Sequence, residues 1–527
     1  MKKVLYILMA LVYGVTGFAQ NTNISQGNIF EGEPYIAINP TNTQHIAIAW
    51  MGWASIAEQF KIKTSVSFDG GKTWSSKVEI PHTQTGFSSA DPCLAFDSKG
   101  NLFLSFIDFT GTAPPVTGGV YLSKSLDGGL SWQAPNTVIT TDYDGTKWPI
   151  DRPWMVIDNS GKTTNGTIYI TTMNLNRTNP SFRPYLSTSI DGGTSFTQSY
   201  VDGENWLAGS LNPLPLCSPV VASDGTFYGA YPSLVLSQNL RPHAVLAKST
   251  SSGSTFTYSL IKTVTDAVEV SAYSDAKKAG LLLANPADSA HLTSVYLSAE
   301  NGDLDVYYIE TKNAGTTWSS PKRINDDPIA NNRMQDLLWG AYDEKGNLVV
   351  TWRDRRNGDD STFATQSEIW AAYKANDTSD FGVNFELTSA TPDYDSILTR
   401  SGNDFMSVAL ANDTIHATWG ETRSGSLNIW YTQYALNSGT ASHVLLLSEP
   451  ASAPSVFPNP ARDYTTIEYP DIIAIELLDL NGKKVLERSY TSPTRGVTID
   501  THDLASGTYT IILKCSAGTA KGKLMKD

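Results

Sequence analysis

The octapeptide Ser67-Phe68-Asp69-Gly70-Gly71-Lys72-Thr73-Trp74 decides the fold, because it returns down most of the chain. Ser125-Leu126-Asp127-Gly128-Gly129-Leu130-Ser131-Trp132 and Ser189-Ile190-Asp191-Gly192-Gly193-Thr194-Ser195-Phe196 are further copies. Two altered copies follow at 249–256, with Ser251 in place of Asp, and at 311–318, with Asn313 there. The starts at 67, 125, 189, 249 and 311 lie 58, 64, 60 and 62 residues apart. A unit repeated at near-constant spacing is one supersecondary block that buries its apolar face against its neighbours.

The octapeptide has the chemistry of a tight turn. Asp and Ser oxygens accept backbone N–H bonds, and paired glycines reach positive φ at no steric cost. The closing Trp or Phe is a large apolar anchor that can wedge between sheets. On this pattern, Ser-x-Asp-x-Gly-x-Thr-Trp, the chain resembles the Asp-box (BNR) repeat of sialidase-like β-propellers. The resemblance implies a fold rather than a chemistry. It makes Ser67, Asp69, Gly71, Trp74, Ser125, Asp127, Gly129, Trp132, Ser189, Asp191, Gly193 and Phe196 structural.

Between about residue 30 and residue 447 seven units share one plan. Each opens on an apolar run such as 35–38, 93–96 or 154–157. A polar turn such as 97–101 follows, then a second run such as 46–50 or 102–106. A third strand leads into the box and a fourth closes the unit. Four antiparallel strands per unit make a propeller blade, and radial closure hides the sheet edges. The expected fold is therefore all-β: a seven-bladed sialidase-like propeller over 20–447. Six blades is the alternative, since sialidases have six and units six and seven carry no readable box.

The ends differ in character. Residues 1–19 read as a signal peptide, with Lys2-Lys3, the apolar run 4–12 and Gly17-Phe18-Ala19 before Gln20. That run is too short to span a bilayer, which takes about 20 apolar residues, so no transmembrane helix is expected in the mature chain. Residues 448–456 read as a linker. The remainder, 457–527, has short strand-like runs punctuated by Pro and Asn481-Gly482, which suggests a small Ig-like β-sandwich. Pro458-Asn459-Pro460, Leu478-Asp479-Leu480-Asn481-Gly482-Lys483, Leu504-Ala505-Ser506-Gly507-Thr508-Tyr509 and the basic end with Lys521, Lys523 and Lys526 carry a second resemblance. This segment is similar to the type A sorting domain of the type IX secretion system. That implies a partner in the secretion machinery and a secreted or cell-surface protein exported through the periplasm and outer membrane.

A net charge of −14, or −16 without Lys2 and Lys3, argues against nucleic acid and anionic membranes as partners. Cys93, Cys217 and Cys515 are far apart and lack metal-ligand spacing. A Cys93–Cys217 bridge is open, with two separate buried thiols the simpler reading. His45, His291 and His416 fall in different units and form no metal cluster. No metal or cofactor is expected; a structural Ca²⁺ held by Asp and carbonyl oxygens in a central channel is a weaker possibility.

Propeller topology sorts the two faces. Asp boxes are third–fourth turns and share their face with turns such as 97–101, whose residues a turn requires anyway. On the other face, Glu33, Asp91, Asp151-Arg152 and Gln335-Asp336 enter first strands, with Asp404 near the equivalent place in unit seven. Arg353-Asp354-Arg355-Arg356 and Glu421-Thr422-Arg423 leave second strands, and Trp53 lies nearby. Carboxylates that bind hydroxyls, Arg that grips a carboxylate and Trp that stacks on a sugar ring suit a glycan. A glycan or surface protein is thus the expected ligand. The alternative is a glycoside hydrolase of exo-α-sialidase type, in which Asp91, Asp151, Arg152 and Arg353 would be catalytic. Glu33, Asp336, Arg355, Glu421, Arg423 and Trp53 would then bind substrate.

The plainer readings are solvated or structural. Arg353–Arg356 can pair with its own acids, Asp151 and Asp336 can satisfy backbone groups, and Glu421–Arg423 can be a surface ion pair worth little. Trp50, Trp352 and Trp419, at second-strand ends, read as wall packing. The three arginines and activated Tyr of true sialidases are matched only in part, because no Tyr stands out as nucleophile. The Arg-Ile-Pro signature of that family is absent ahead of the first blade, and Asp151-Arg152-Pro153-Trp154 resembles it only loosely.

Overall fold

Second strands such as Ile46–Trp53 and Leu348–Asp354 are apolar on both faces and almost wholly buried, which demands a sheet with neighbours on either side. The computed structural model supplies that arrangement. It describes residues 21–436 and 454–527, apart from 54–58, 112, 177–180, 210–216, 239–240, 264–279, 360–364, 393–402, 480–482 and 516–517. The expected signal peptide and most of the expected linker lie outside the described residues. Every described regular element is a strand. Residues 1–436 and 437–527 form two compact units.

In the first unit the described strands make seven four-stranded antiparallel sheets. The first strands of sheets 1 to 7 are Phe30–Ile38, Ser88–Phe96, Ile150–Ile157, Ser218–Val221, Gly280–Ala284, Gln335–Tyr342 and Ser407–Ala411. Each touches the first strand of the next sheet, and the seventh touches the first, so the contacts close a ring. Sheets 1 to 6 are continuous in sequence. Sheet 7 takes its outermost strand, Thr22–Asn23, from the chain's N-terminal side, paired antiparallel with Asn428–Ala435. Asn428 fastens this strap: its Oδ1 accepts Ser25 Oγ at 2.9 Å, and Ile24 N donates to Ile429 O at 2.8 Å. The sequence reading missed this closure, since a two-residue strand carries no periodicity.

The boxes form the expected third–fourth turns. In the first, Ser67 Oγ donates to Asp69 Oδ1 at 2.8 Å and accepts Gly71 N at 2.8 Å, while Thr73 Oγ1 reaches Asp69 Oδ2 at 2.6 Å. These bonds, led by that from Thr73, hold the Asp69 carboxyl down at about 2. The altered copies keep the geometry: Asn313 Oδ1 accepts Thr317 N at 2.9 Å, and Ser251 Oγ lies 2.7 Å from Thr255 Oγ1. The second glycine explains the motif's conservation of form along the chain. A Cβ on Gly71, Gly129, Gly193, Gly253 or Gly315 would lie 1.9–2.6 Å from Tyr431, Val66, Leu122, Leu186 or Leu246 respectively, each on the preceding sheet. The box is thus where one sheet's turn meets its neighbour's third strand.

The second unit's five strands form one hydrogen-bonded sheet. The sequence suggests separate strands at 465–469 and 474–480, but as far as Leu478 these are one strand, Tyr464–Leu478, with register shifts between Glu468 and Ile472 and between Ile472 and Ala474. Its first part pairs with Ser455–Phe457 and its second with Gly507–Cys515, around a core containing Ile467, Ile475, Leu477, Ile499, Ile511 and Leu513. The Asn481-Gly482 turn lies outside the described residues. Cys93 and Cys217 are both buried and form no bridge with each other.

Candidate functional site

The first strands of sheets 1, 2, 3 and 6 share one irregularity. Register shifts by one residue between Gly32 and Tyr35, Ala90 and Cys93, Asp151 and Trp154, and Asp336 and Trp339. Inside these bulges Glu33, Asp91, Arg152 and Leu337 adopt φ of 56°, 54°, 52° and 56°, and Asn403 ahead of sheet 7 adopts 63°. Such φ values cost a non-glycine residue of order 1 kcal/mol or more, and bulges re-aim side chains. Pro34, Pro92 and Pro153 follow the strained residue in sheets 1 to 3. Tyr35, Trp154, Trp339 and Phe405 come next and fill the middle of the ring. Trp339 lies 5.5, 5.9 and 6.3 Å from Tyr35, Trp154 and Phe405 respectively.

Above this aromatic plug, at the end of the sheets away from the boxes, the bulges bring acids together. Arg152 N donates to Asp91 Oδ2 at 3.1 Å and to Asp151 Oδ1 at 3.0 Å. Arg152 Nη2 binds Asp404 Oδ2 at 2.7 Å, and Asp404 N reaches Glu33 Oε1 at 3.4 Å. The Asp91 carboxyl lies against those of both Glu33 and Asp151. Glu33 is 3% exposed, and its Oε2 has no hydrogen-bond donor. Asp151 and Asp404 are only partly buried and give the group its access to solvent.

Carboxyls in contact cannot all ionise. Burial pushes Glu33 up to about 7, with the Asp404 and Asp151 charges adding to it and Asp91 and Arg152 opposing it. Burial and then the Glu33 charge raise Asp91 well above the usual carboxylate range, and burial and then Asp91 do the same for Asp151. Near neutrality the group therefore holds protons and offers O–H donors beside carboxylate acceptors. Among the described residues no set of three or more His, Cys, Asp or Glu is placed to hold a metal ion.

Of the residues singled out in the sequence, Glu33, Asp91, Asp151 and Arg152 are thus brought together. Asp336, Arg353 and Arg355 form a separate buried group. Arg353 Nε and Nη2 grip Asp336 at 2.7 and 2.6 Å, and Arg355 Nη1 adds a bond of 3.0 Å. Burial alone would raise Asp336, but the two guanidinium charges hold it well below its ordinary value. Arg423 Nη2 binds Glu421 at 2.6 Å and stacks over Trp430 at 4.4 Å. Arg356 pairs with Asp354 and Asp326 and lies 3.9 Å over Trp370. Trp53 packs on Phe60, 4.9 Å between rings. Trp50, Trp352 and Trp419 are fully buried, each donating its indole N–H to a carboxylate: Glu31, Asp354 and Glu421. Asp404, which the sequence places on this face without singling it out as a binding or catalytic residue, joins the carboxyls around Arg152, while Glu31, whose Oε1 binds the buried Lys63 at 2.7 Å, was missed. The recurring acid or Arg before Pro, in Glu33-Pro34, Asp91-Pro92 and Arg152-Pro153, marks neither of these two, since Phe405 follows Asp404 and Gly32 follows Glu31.

Two hollows, of about 410 and 320 Å³, lie apart from the carboxyl group. One is lined by Asn23, Gln26, Asn28, Ser424, Ser426 and Asn428, the other by Tyr308, Arg323, Asn325, Asp326 and Phe381.

No curated protein matches the chain. Among solved structures, similar ones include a Dyadobacter fermentans protein described as of unknown function. It is 13% identical with TM-score 0.43, covering 79% of this chain and 99% of that one. The NanB sialidase of Streptococcus pneumoniae is 14% identical with TM-score 0.40, covering 79% and 70%. An alpha-L-arabinofuranosidase of Fusarium graminearum is 12% identical with TM-score 0.44, covering 80% and 99%. Residues 455–527 match the family described as the secretion system C-terminal sorting domain, which implies export to the outer membrane or cell surface.

Proposed function

We propose that the protein is an exported seven-bladed propeller that binds a glycan at the mouth of its ring, opposite the Asp boxes, without cleaving it. The observation that carries this reading is the convergence of Glu33, Asp91, Asp151 and Asp404, from four sheets, around Arg152. Partly protonated carboxyls present donors and acceptors side by side, as sugar hydroxyls require. Retention of protons here also favours polyols over anions. Arg152, Arg353 and Arg423, the residues that would grip a sugar carboxylate, each already hold a carboxylate of the protein.

Spacing favours binding over hydrolysis. Glycosidase carboxyl pairs stand about 5 Å or more apart, whereas the Asp91 carboxyl lies against those of Glu33 and Asp151. One observation supports a hydrolase as the second reading: Asp91 and Asp151 are kept protonated, the state a general acid needs. Export would proceed through the signal peptide 1–19 and the sorting domain, whose sheet would act as an Ig-like module.

The test is retention of the full chain on a panel of neutral, anionic and amine-bearing glycans, with product analysis. Binding weakened tenfold or more by Asp91→Asn, with no new reducing ends, is expected. New reducing ends that vanish in Asp91→Asn would establish the hydrolase instead, and binding to no glycan would contradict both.

A further inference from the structure

Apart from the protons it retains, the carboxyl group at the mouth is mainly an assembly of acceptors. Among the described residues, four carboxyls face the one guanidinium of Arg152. Arg152 spends its backbone N–H on Asp91 and Asp151 and its Nη2 on Asp404. Glu33 Oε2, on a side chain 3% exposed, has no donor, and the carboxyl it belongs to meets that of Asp91. Two facing acceptors are held together only by something that donates between them. Between Glu33 and Asp91 a proton can serve, and a ligand seated there must replace it.

The group that best matches is one with several donors, no acceptor and a positive charge. An ammonium has three N–H donors and no acceptor, and its charge-assisted bonds to carboxylates are roughly twice as strong as neutral ones. A sugar hydroxyl brings one donor and adds acceptor lone pairs to a site already crowded with them.

We propose that the mouth of the ring receives a primary ammonium group carried by a hexosamine whose amine is free, seated among Glu33, Asp91, Asp151 and Asp404. This rests on the glycan reading above and narrows it to one substrate class. Seating the ammonium displaces protons from the carboxyls, so binding tightens as pH rises from about 5 until the hexosamine amine begins to lose its own proton. The titratable and charged groups facing the seat are Glu33, Asp91, Asp151, Asp404 and Arg152.

The experiment is calorimetric titration of the full chain with three tetrasaccharides. These are β-1,4-linked glucosamine, its N-acetylated form, and cellotetraose, which carries hydroxyl in place of the amine. The free-amine oligomer is expected to bind at least tenfold more tightly than either analogue. Proton release is expected too, read from the difference in heat between buffers of unlike ionisation enthalpy. Asp151→Asn, and separately the more exposed Asp404→Asn, should each cut that preference at least fivefold while circular dichroism stays unchanged. Equal affinity for glucosamine oligomer and cellotetraose overturns the inference and leaves the glycan reading standing. No binding of any of the three, together with a blank glycan panel, overturns both. Tighter binding of a lysine-rich peptide than of the glucosamine oligomer overturns the assignment to a sugar. Loss of oligomer binding in millimolar CaCl₂ but not in matched NaCl assigns the seat to a metal ion instead.

Discussion

Glu33 and Asp91 store free energy in a form that pH can read. In the folded state Glu33 is raised from 4.5 to about 7, chiefly by burial. A carboxyl with a raised folded pKa contributes stability fully present below its unfolded pKa and lost as pH rises through the folded one. Thermal melts between pH 5 and pH 8 should therefore show stability falling with pH, by about 1–3 kcal/mol for the coupled group. The Asp91→Asn variant should flatten that slope, and an unchanged slope would contradict the placement of these acids. Box carboxyls such as Asp69 act in the opposite sense and below this window, their stability being lost as pH falls toward about 2. A second test concerns Glu31, buried with Lys63 and the Trp50 indole. Lys63→Met strands a buried carboxylate and should cost about 3–5 kcal/mol in denaturant unfolding, with much of it recovered by adding Glu31→Gln. At this scale the sequence was legible where residue type and strand position agreed: Glu33, Asp91, Asp151 and Arg152 were all marked by entering first strands. Which arginines were already occupied was not legible. Asp336 meets Arg353 only because the two are paired across Gln335–Tyr342 and Leu348–Asp354, a register set in three dimensions.

Gly192 and Gly193 separate what the box needs for its own turn from what it gives the ring. Both have positive φ, 71° and 86°, so an added Cβ is strained at either. Nothing lies within 4 Å of a Cβ at Gly192, whereas one at Gly193 would lie 2.4 Å from Leu122 on the preceding sheet. Gly192→Ala should cost about 1 kcal/mol of backbone strain, and Gly193→Ala about 1–3 kcal/mol more from overpacking. Equal losses in urea unfolding would remove the inter-sheet role of the box. The repeat was legible because a tight turn with two left-handed residues tolerates few sequences. The first-strand bulge was harder to see, since only a following Pro marks it in sheets 1 to 3, and Leu337-Leu338 carries no such mark in sheet 6. In the C-terminal unit the two parts of Tyr464–Leu478 read as separate strands because local pattern stops at a bulge while hydrogen bonding continues past it.

The whole ring depends on Thr22–Asn23 being captured by sheet 7, and Asn21 extends the grip by accepting Ser389 N at 2.7 Å and Arg423 Nη1 at 3.0 Å. Asn428→Ala removes the side chain that holds Ser25 and should lower Tm by about 3 °C, with hydrogen exchange rising first in Asn428–Ala435. Exchange rising uniformly instead would mean that the strap is not a separate closure. The ligand seat proposed at the ring's mouth would place chemistry at one end of the sheets only. The boxes, at the other end, are fastenings. The most direct measurement is the dissociation constant of a bound glycan for Asp151→Asn beside Asp191→Asn, taken well below either variant's melting temperature. Binding at the mouth predicts at least tenfold weaker affinity for Asp151→Asn and unchanged affinity for Asp191→Asn in the box. Loss confined to Asp191→Asn would contradict it.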